Sequence, residues 1–248
     1  MLRRWLHAGL DPRLVTVVSP SGRAMPDGVA VVAAIPEADE VFDTIILALK
    51  PQKLGELKGS FLSAHAPRLL VSILAGVEET AIAATCHARA IVRAIPNLPV
   101  ALGKGVTGLF SSTADSDARR VAEALCGPLG HHEWINDEKL FDTVTALAGS
   151  GPAFLFRFID ALARAGTALG LPEDQARRLA LATVEGSALM AAAADEAPAV
   201  LADRVASPGG STREGLNVLD HDDALARLLT ETLRASERRN GELATLAR

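Results

Sequence analysis

The chain has no tyrosine, and aromatic residues make up only 4% of its 248 residues. Stacking platforms for nucleobases need aromatic faces, so this composition argues against single-stranded nucleic-acid binding. Neither sign of charge dominates. Lys plus Arg number 25 against 30 Asp plus Glu, a formal net charge of -5. A mildly acidic chain offers no basic footprint for DNA or for an anionic membrane surface. Cysteine is almost absent. Cys86 and Cys126 form no C-x-x-C pair, and no His/Cys cluster has metal-ligand spacing, so no metal site is expected. Two isolated thiols fit a reducing, cytoplasmic compartment and read as small apolar core fillers. Long apolar runs are missing as well. Purely apolar stretches such as residues 45–49 fall far below the roughly 20 residues of a membrane-spanning helix. Residues 1–9 carry Arg3, Arg4 and His7 without the apolar core of a secretory signal.

What is present changes character near residue 135. Residues 14–18, 29–32, 44–49, 69–73, 90–95 and 106–110 are rich in Val, Ile and Leu and predict strands. The first four are continuous apolar runs, the pattern of strands buried on both faces of a parallel sheet. Helical stretches fall between them, most clearly residues 77–85 and 117–125. This alternation predicts a Rossmann-like, doubly wound parallel α/β sheet over residues 1–135. Residues 136–248 predict an all-helical domain. A helix over 138–147 is interrupted by Gly149-Ser150-Gly151-Pro152. Further helices follow over 153–169, 173–194, 198–205 and 222–246. Residues 153–169 are apolar almost all round, apart from Arg157, Asp160 and Arg164. Such a helix must be covered, most easily by a second subunit.

A dinucleotide-binding sheet opens with a strand, a G-x-G-x-x-G turn and a helix whose N-terminus meets the pyrophosphate. The sequence contains no such fingerprint. Residues 1–9 read instead as the body of a helix ending at Gly9. Residues 14–18 then take the place of the second strand, and roughly a dozen residues carrying the first strand and its glycine turn are expected to be missing. The alternative is a domain that never bound a dinucleotide.

Several strand ends carry residues suited to a ligand. Ser19 closes the first strand with Arg23 close behind. A hydroxyl beside a guanidinium suits a 2′-phosphate and favours NADPH over NADH; a solvated turn is the alternative. Lys50 follows a buried strand and Pro51 holds it extended, facing either a cofactor or solvent. Ala75 and Gly76 let backbone approach a flat ligand closely. Pro96-Asn97-Leu98-Pro99 makes a rigid turn on the same edge. The most informative segment is Ser207-Pro208-Gly209-Gly210-Ser211-Thr212. Its glycines and hydroxyls suit a carboxylate, although a plain interhelical loop with an N-cap has the same composition. Ala148-Gly149-Ser150-Gly151-Pro152 invites both readings too. The adjacent His131 and His132 would point to opposite faces of a strand, and no serine sits in a G-x-S-x-G elbow.

With these residues in view, the chain resembles the pyrroline-5-carboxylate reductases over nearly its whole length. The resemblance rests on Leu47-Ala48-Leu49-Lys50-Pro51-Gln52, Ser72-Ile73-Leu74-Ala75-Gly76-Val77 and Pro96-Asn97-Leu98-Pro99. It rests most specifically on the run from Val144 to Ala153 and the run from Asp203 to Thr212. It implies reduction of 1-pyrroline-5-carboxylate to L-proline by NADPH or NADH. It further implies that Ala48, Leu49, Lys50, Pro51, Ala75 and Gly76 line the nicotinamide nucleotide, with Ser19 near the adenosine end. Ser207, Gly209, Gly210, Ser211 and Thr212 would hold the substrate, with Thr145 nearby and Thr212 bonded to the ring nitrogen. The implied assembly is a homo-oligomer of interlocked dimers, with no nucleic-acid or membrane partner. This chain departs from the family at the missing glycine fingerprint and at Ile35, Leu98, Phe154 and Ser211. A truncated, inactive oligomerising scaffold and a related NADP-dependent imine or hydroxy-acid reductase are the competing readings.

Overall fold

The computed structural model describes residues 1–35, 41–59 and 66–246. Backbone packing divides it into two compact units, Met1–Ser150 with Ser236–Arg248, and Gly151–Ala235.

The first unit opens on a short helix, α1 (Leu2–His7), and its described residues contain seven strands. β1 (Thr16–Val18) and β2 (Ala30–Val32) form a two-stranded parallel sheet. β3 (Thr44–Leu47), β4 (Leu69–Ser72), β5 (Ile91–Pro96), β6 (Gly105–Phe110) and β7 (Gly130–Trp134) form a second sheet in that spatial order. The apolar runs that predicted strands are explained by β4, which is buried at all four positions. Leu69 and Val71 pack on one face with Ala118, Ala122 and Cys126 of α3 (Ser116–Cys126). Leu70 packs on the other with Leu54, Leu57 and Ile82, the last from α2 (Glu79–Ala83). Burial of Leu70 alone contributes about 2 kcal/mol. The Asp115 carboxylate caps α3 by accepting from the Ala118 N–H at 2.8 Å. The Trp5 indole N–H donates to the Leu125 carbonyl at 2.6 Å, fastening α1 to the far end of α3.

The sheet differs from the expected one in three respects. β6 runs antiparallel to β5, because only the short 3-10 segment Leu98–Leu102 and a left-handed Gly103 connect them. A parallel return needs a crossover of a dozen residues or more. β7 was not expected as a strand. Only alternate residues of it are half-buried, so its polar Gly-His-His-Glu sequence hides the pattern. Finally, no ladder joins β1 to β3 among the described residues. The strand that opens a doubly wound sheet would lie between such edges; this chain has α1 before β1 instead.

Residues 138–150 form a helical segment seated on β5 and β6. It begins as a 3-10 turn, Glu138–Leu140, becomes α4 (Phe141–Val144), and widens into a π turn, Thr145–Gly149. The interruption expected at residues 149–152 is therefore a change of helical register. Phe141 is buried, and its ring meets Phe110 edge-on at 6.5 Å. Gly108 leaves room for Val144: a Cβ there would come within 2.7 Å of Val144 Cγ1. The end of the last helix returns to this segment. Ser236 meets Ser150 hydroxyl to hydroxyl at 3.2 Å, and Thr143 donates to the Glu237 carboxylate.

The second unit contains α5 (Gly151–Ala168), α6 (Glu173–Ala193), α7 (Pro198–Val205), α8 (Ser211–Asp220) and the first part of α9 (Ala224–Leu246). α9 starts two residues later than expected, since Asp222 and Asp223 adopt φ of 49° and 54°, left-handed values that end a helix. In α5 and α6 the small residues Ala163, Ala176 and Ala180 are buried. The large residues Phe156, Phe158, Leu179, Leu181 and Met190 are exposed.

The seat predicts a specific cost of crowding. Gly108→Ala should destabilise the chain by about 1–3 kcal/mol, read as a lowered urea midpoint at constant slope. Val144→Ala in the same chain should recover most of the loss, whereas an additive double variant would contradict the contact.

Candidate active site

Parallel pairing of β3, β4 and β5 puts their carboxyl ends on one edge, with Leu47 opposite Ser72 and Ser72 opposite Arg93. Ligands of open α/β sheets bind beyond such ends. Ala48, Leu49, Lys50 and Pro51 leave β3 on this edge, with Ala48 and Lys50 exposed. Lys50 has φ -70° and ψ 139°, the extended conformation imposed by a following proline. Ala75 and Gly76 turn away from β4 beside them. Gly76 sits at φ +71°, where a side chain would be strained. The structure thus brings these six predicted residues to one sheet edge. Ser19 follows β1 on the separate sheet and is nearly buried. Its hydroxyl accepts from the Arg23 N–H at 3.2 Å, and its carbonyl accepts from the Gly22 N–H at 2.9 Å, closing a turn. The Arg23 side chain is exposed.

Thr145 begins the π turn. Its hydroxyl donates to the Phe141 carbonyl at 2.7 Å, which leaves the oxygen able to accept. Its own carbonyl accepts the Ser150 N–H, five residues on, at 2.9 Å.

In the helical unit, Ser207 to Thr212 form a closed turn that opens α8. The Gly210 N–H donates to the Ser207 carbonyl at 2.9 Å. Gly209 has φ +71°, and a Cβ on Gly210 would lie 3.1 Å from the Ser207 carbonyl oxygen. The left-handed φ calls for glycine at 209, and a side chain at 210 would crowd the turn. Gly210 is the N-cap of α8, so Ser211, Thr212 and Arg213 have first-turn N–H groups without intrahelical acceptors. The Arg213 guanidinium is held away from this end, donating to the Asp203 carboxylate at 2.7 Å and to the Ala206 carbonyl at 3.4 Å. Ser207, Ser211 and Thr212 are exposed. N–H groups and hydroxyls gathered at a helix start suit an anion.

Carboxylates accompany the turn: Glu214 lies in the first turn of α8, and Asp203 is paired with Arg213. Among the described residues no group of three His, Cys, Asp or Glu is placed to hold a metal ion. Both thiols are free and buried. Burial pushes the Cys126 thiol up to about 11, so it is no nucleophile at neutral pH.

One cluster went unnoticed in the sequence. Arg93, on β5, is 4% exposed. It bonds Glu138 Oε1 at 2.7 Å, and its guanidinium lies 4.3 Å from the Phe141 ring centroid. Glu138 Oε1 also accepts the Glu79 N–H at 2.7 Å. The buried Glu79 carboxylate accepts from the Ser112 N–H and the Thr113 hydroxyl at 2.8 and 3.0 Å. An arginine inside the apolar run Ile91-Val92-Arg93-Ala94-Ile95 was the signal for it. Beside this cluster, burial raises the Asp142 carboxyl; Arg93 opposes the shift, and Glu237 and Glu78 reinforce it.

Comparison with known proteins decides the lineage. Residues 138–243 match the family model described as pyrroline-5-carboxylate reductase dimerisation. The Synechocystis pyrroline-5-carboxylate reductase is 38% identical over 208 residues, covering 84% of this chain and 77% of that protein. The chain belongs to the pyrroline-5-carboxylate reductase family. A Pseudomonas aeruginosa reductase is 36% identical, covering 86% of this chain and 79% of that one. The Coxiella burnetii pyrroline-5-carboxylate reductase structure superposes with a TM-score of 0.86 at 31% identity, covering 98% of this chain and 93% of its own. The Plasmodium falciparum pyrroline carboxylate reductase, solved with NADP bound, shares the fold at a TM-score of 0.78 and 24% identity, covering 97% and 92%. The match over residues 138–243 makes these helices a homo-oligomerisation module.

The Asp142 environment gives a pH prediction. A carboxyl raised in the folded state favours folding below its unfolded pKa, and that contribution is lost as pH rises through the folded value. Asp142→Asn should therefore be more stable than the parent at pH 7, by under about 1 kcal/mol for a half-buried group screened by solvent. The gain should vanish below pH 3.8, the ordinary value for this group. Urea titrations at both pH values measure it, and a loss of stability at pH 7 would contradict the assignment.

Proposed function

We propose that this chain reduces the C=N bond of 1-pyrroline-5-carboxylate to give L-proline, with NAD(P)H as hydride donor, as the last step of proline synthesis. The carrying observation is the closed Ser207–Thr212 turn at the start of α8, in a chain of this reductase family. The substrate has one carboxylate and one imine nitrogen. This turn offers N–H donors for the first and, for the second, the Thr212 hydroxyl, which can donate a hydrogen bond to the imine or accept one from its protonated form.

Each residue has a proposed role. The N–H groups of Ser211 and Thr212, with the hydroxyls of Ser207 and Ser211, hold the carboxylate. Gly209 and Gly210 allow the backbone to approach the ring. The Thr212 hydroxyl bonds the ring nitrogen, and Thr145 borders the ring from the π turn. Ala48, Leu49, Lys50, Pro51, Ala75 and Gly76 line the nicotinamide nucleotide, with Ser19 at the adenosine end. The fit is good for the nicotinamide half, where small, exposed residues and a left-handed Gly76 leave the sheet edge open. When bound, the cofactor supplies a hydride. A protonated imine is already electrophilic, so the chain's residues have to bind, orient and exclude water. An exposed Arg23, four residues after Ser19, supports preference for the 2′-phosphate of NADPH.

The proposed domains are residues 1–135 for the cofactor and 136–248 for substrate and dimerisation. The proposed assembly is a ring of interlocked dimers in the cytoplasm. The stretch Glu138–Ala168 is long and apolar enough to cross a membrane by length and composition. We assign its exposed face to a second copy instead, because Arg157, Asp160 and Arg164 interrupt it and its neighbours expose apolar residues too.

The test is NADPH oxidation that requires 1-pyrroline-5-carboxylate and yields proline. Thr212→Ala should lower kcat/KM by about 10²-fold, as loss of one oriented donor does, while Thr212→Ser retains most activity. A chain silent both as given and when extended by a strand and G-x-G-x-x-G turn would refute the reading and leave the scaffold. For the assembly, Phe158→Asp should reduce the sedimenting mass to that of a monomer. An unchanged mass would place the interface elsewhere.

A further inference from the structure

Pro152 stands four residues after Ala148. In an α-helix the Ala148 carbonyl would accept from the N–H of residue 152, and proline has none. The proline ring also crowds the carbonyl four residues back. The helix responds at this point by widening into the π turn Thr145–Gly149, a local change that commonly marks functional sites. The displaced Ala148 carbonyl is met by the Asn97 side chain, whose Nδ2 donates to it at 3.0 Å. Asn97 is itself held firmly. Its Oδ1 accepts the Val106 N–H at 2.9 Å, and its backbone N–H donates to the Val106 carbonyl at 3.1 Å. It is 9% exposed. It directly follows β5, so it lies on the sheet edge where Ala48–Pro51 and Ala75–Gly76 emerge.

We infer that Asn97 is a positioning residue for the reduction: its amide replaces the N–H that Pro152 lacks, and so holds the π turn that presents Thr145 at the nucleotide edge. This rests on the proposed role of Thr145 beside the substrate. In the sequence Asn97 marks only a rigid turn, yet its side chain is the bond that ties that turn to the π turn. A carbonyl turned outward by a proline has two remedies, water or a fixed donor. A fixed donor sets the turn in one place, and displacements near 1 Å at a reacting centre can cost about 10²-fold in rate.

The experiment uses the full chain with three variants, Asn97→Ala, Pro152→Ala and the double variant. Asn97→Ala should speed amide exchange at Ser150, whose N–H makes the π bond to Thr145, by at least about tenfold, as expected when a buried carbonyl loses its partner. In the Pro152→Ala background the same change should alter that exchange by less than about twofold, because residue 152 then offers its own N–H. Asn97→Ala should lower kcat for 1-pyrroline-5-carboxylate by about 10²-fold, with the Kd for NADPH within about twofold of the parent. Should Asn97→Ala fail to fold, the double variant should fold; failure of both overturns the inference. Equal effects of Asn97→Ala in both backgrounds, or an equal loss in kcat and NADPH affinity, would also overturn it. A parent chain without turnover defeats the functional reading alone, and the exchange cycle still decides whether Asn97 stands in for the missing N–H.

Discussion

Arg93 lies in the middle of a strand buried on both faces, and a guanidinium there must meet a counter-charge and satisfy its donors. Its partner comes from outside the sheet. Glu138 reaches Arg93 at 2.7 Å, Phe141 lies under the guanidinium, and the same Glu138 oxygen takes the first N–H of α2. One buried pair thereby fixes where the helical segment 138–150 meets the sheet. Everything downstream of it in the first unit follows that placement. Val144 drops onto Gly108, Ala148 meets Asn97, and the end of α9 closes over the outer side. Removing Glu138 would leave the buried guanidinium without its counter-charge, at a cost below the roughly 3–5 kcal/mol of a fully buried pair, since the Glu138 side chain is 23% exposed.

The parts of the fold that were legible in the sequence are those where one force acts alone. Strands buried on both faces, such as β4, carry unbroken apolar runs, and α7 has the predicted bounds, Pro198–Val205, because a proline starts it. The parts that were not legible depend on partners distant in the chain. β7 is a half-buried edge strand, and its His-rich sequence has no apolar rhythm to read. The antiparallel turn of β6 depends on the length of a connection. The residues 149–152 contain two glycines and a proline and read as a break, yet a side chain some fifty positions earlier carries the helix across them. Arg93 was visible as an anomaly in an apolar run, but nothing local names Glu138 as its partner.

The proposed substrate turn shows the same division. Its chemistry was readable, since glycines and hydroxyls before a helix are an anion pattern whatever the fold. Its construction was not. That Gly209 needs a left-handed φ and that Arg213 is drawn back onto Asp203 are facts of geometry. The second matters chemically. An exposed guanidinium at the start of α8 would compete for the carboxylate as a simple ion pair. Tied to Asp203 and Ala206, it leaves the oriented N–H groups and hydroxyls to do the binding, which favours orientation over charge.

The helical unit reverses the usual rule of burial. Alanines are buried between α5 and α6 while phenylalanines, leucines and a methionine face outward. Alanine contacts let two helices approach closely but bury little area, so they cannot stabilise a domain of this size by themselves. The stabilising area must come from the large side chains, and these are available only to another copy. A soluble monomer exposing so much apolar surface would aggregate. Association therefore adds to the stability of this unit, and the stability of the proposed substrate turn should rise with protomer concentration. That dependence would suit the proposed site, which relies on orientation. A reaction that relies on orientation needs rigid supports, and in this chain rigidity of the helical unit has to come from its partner.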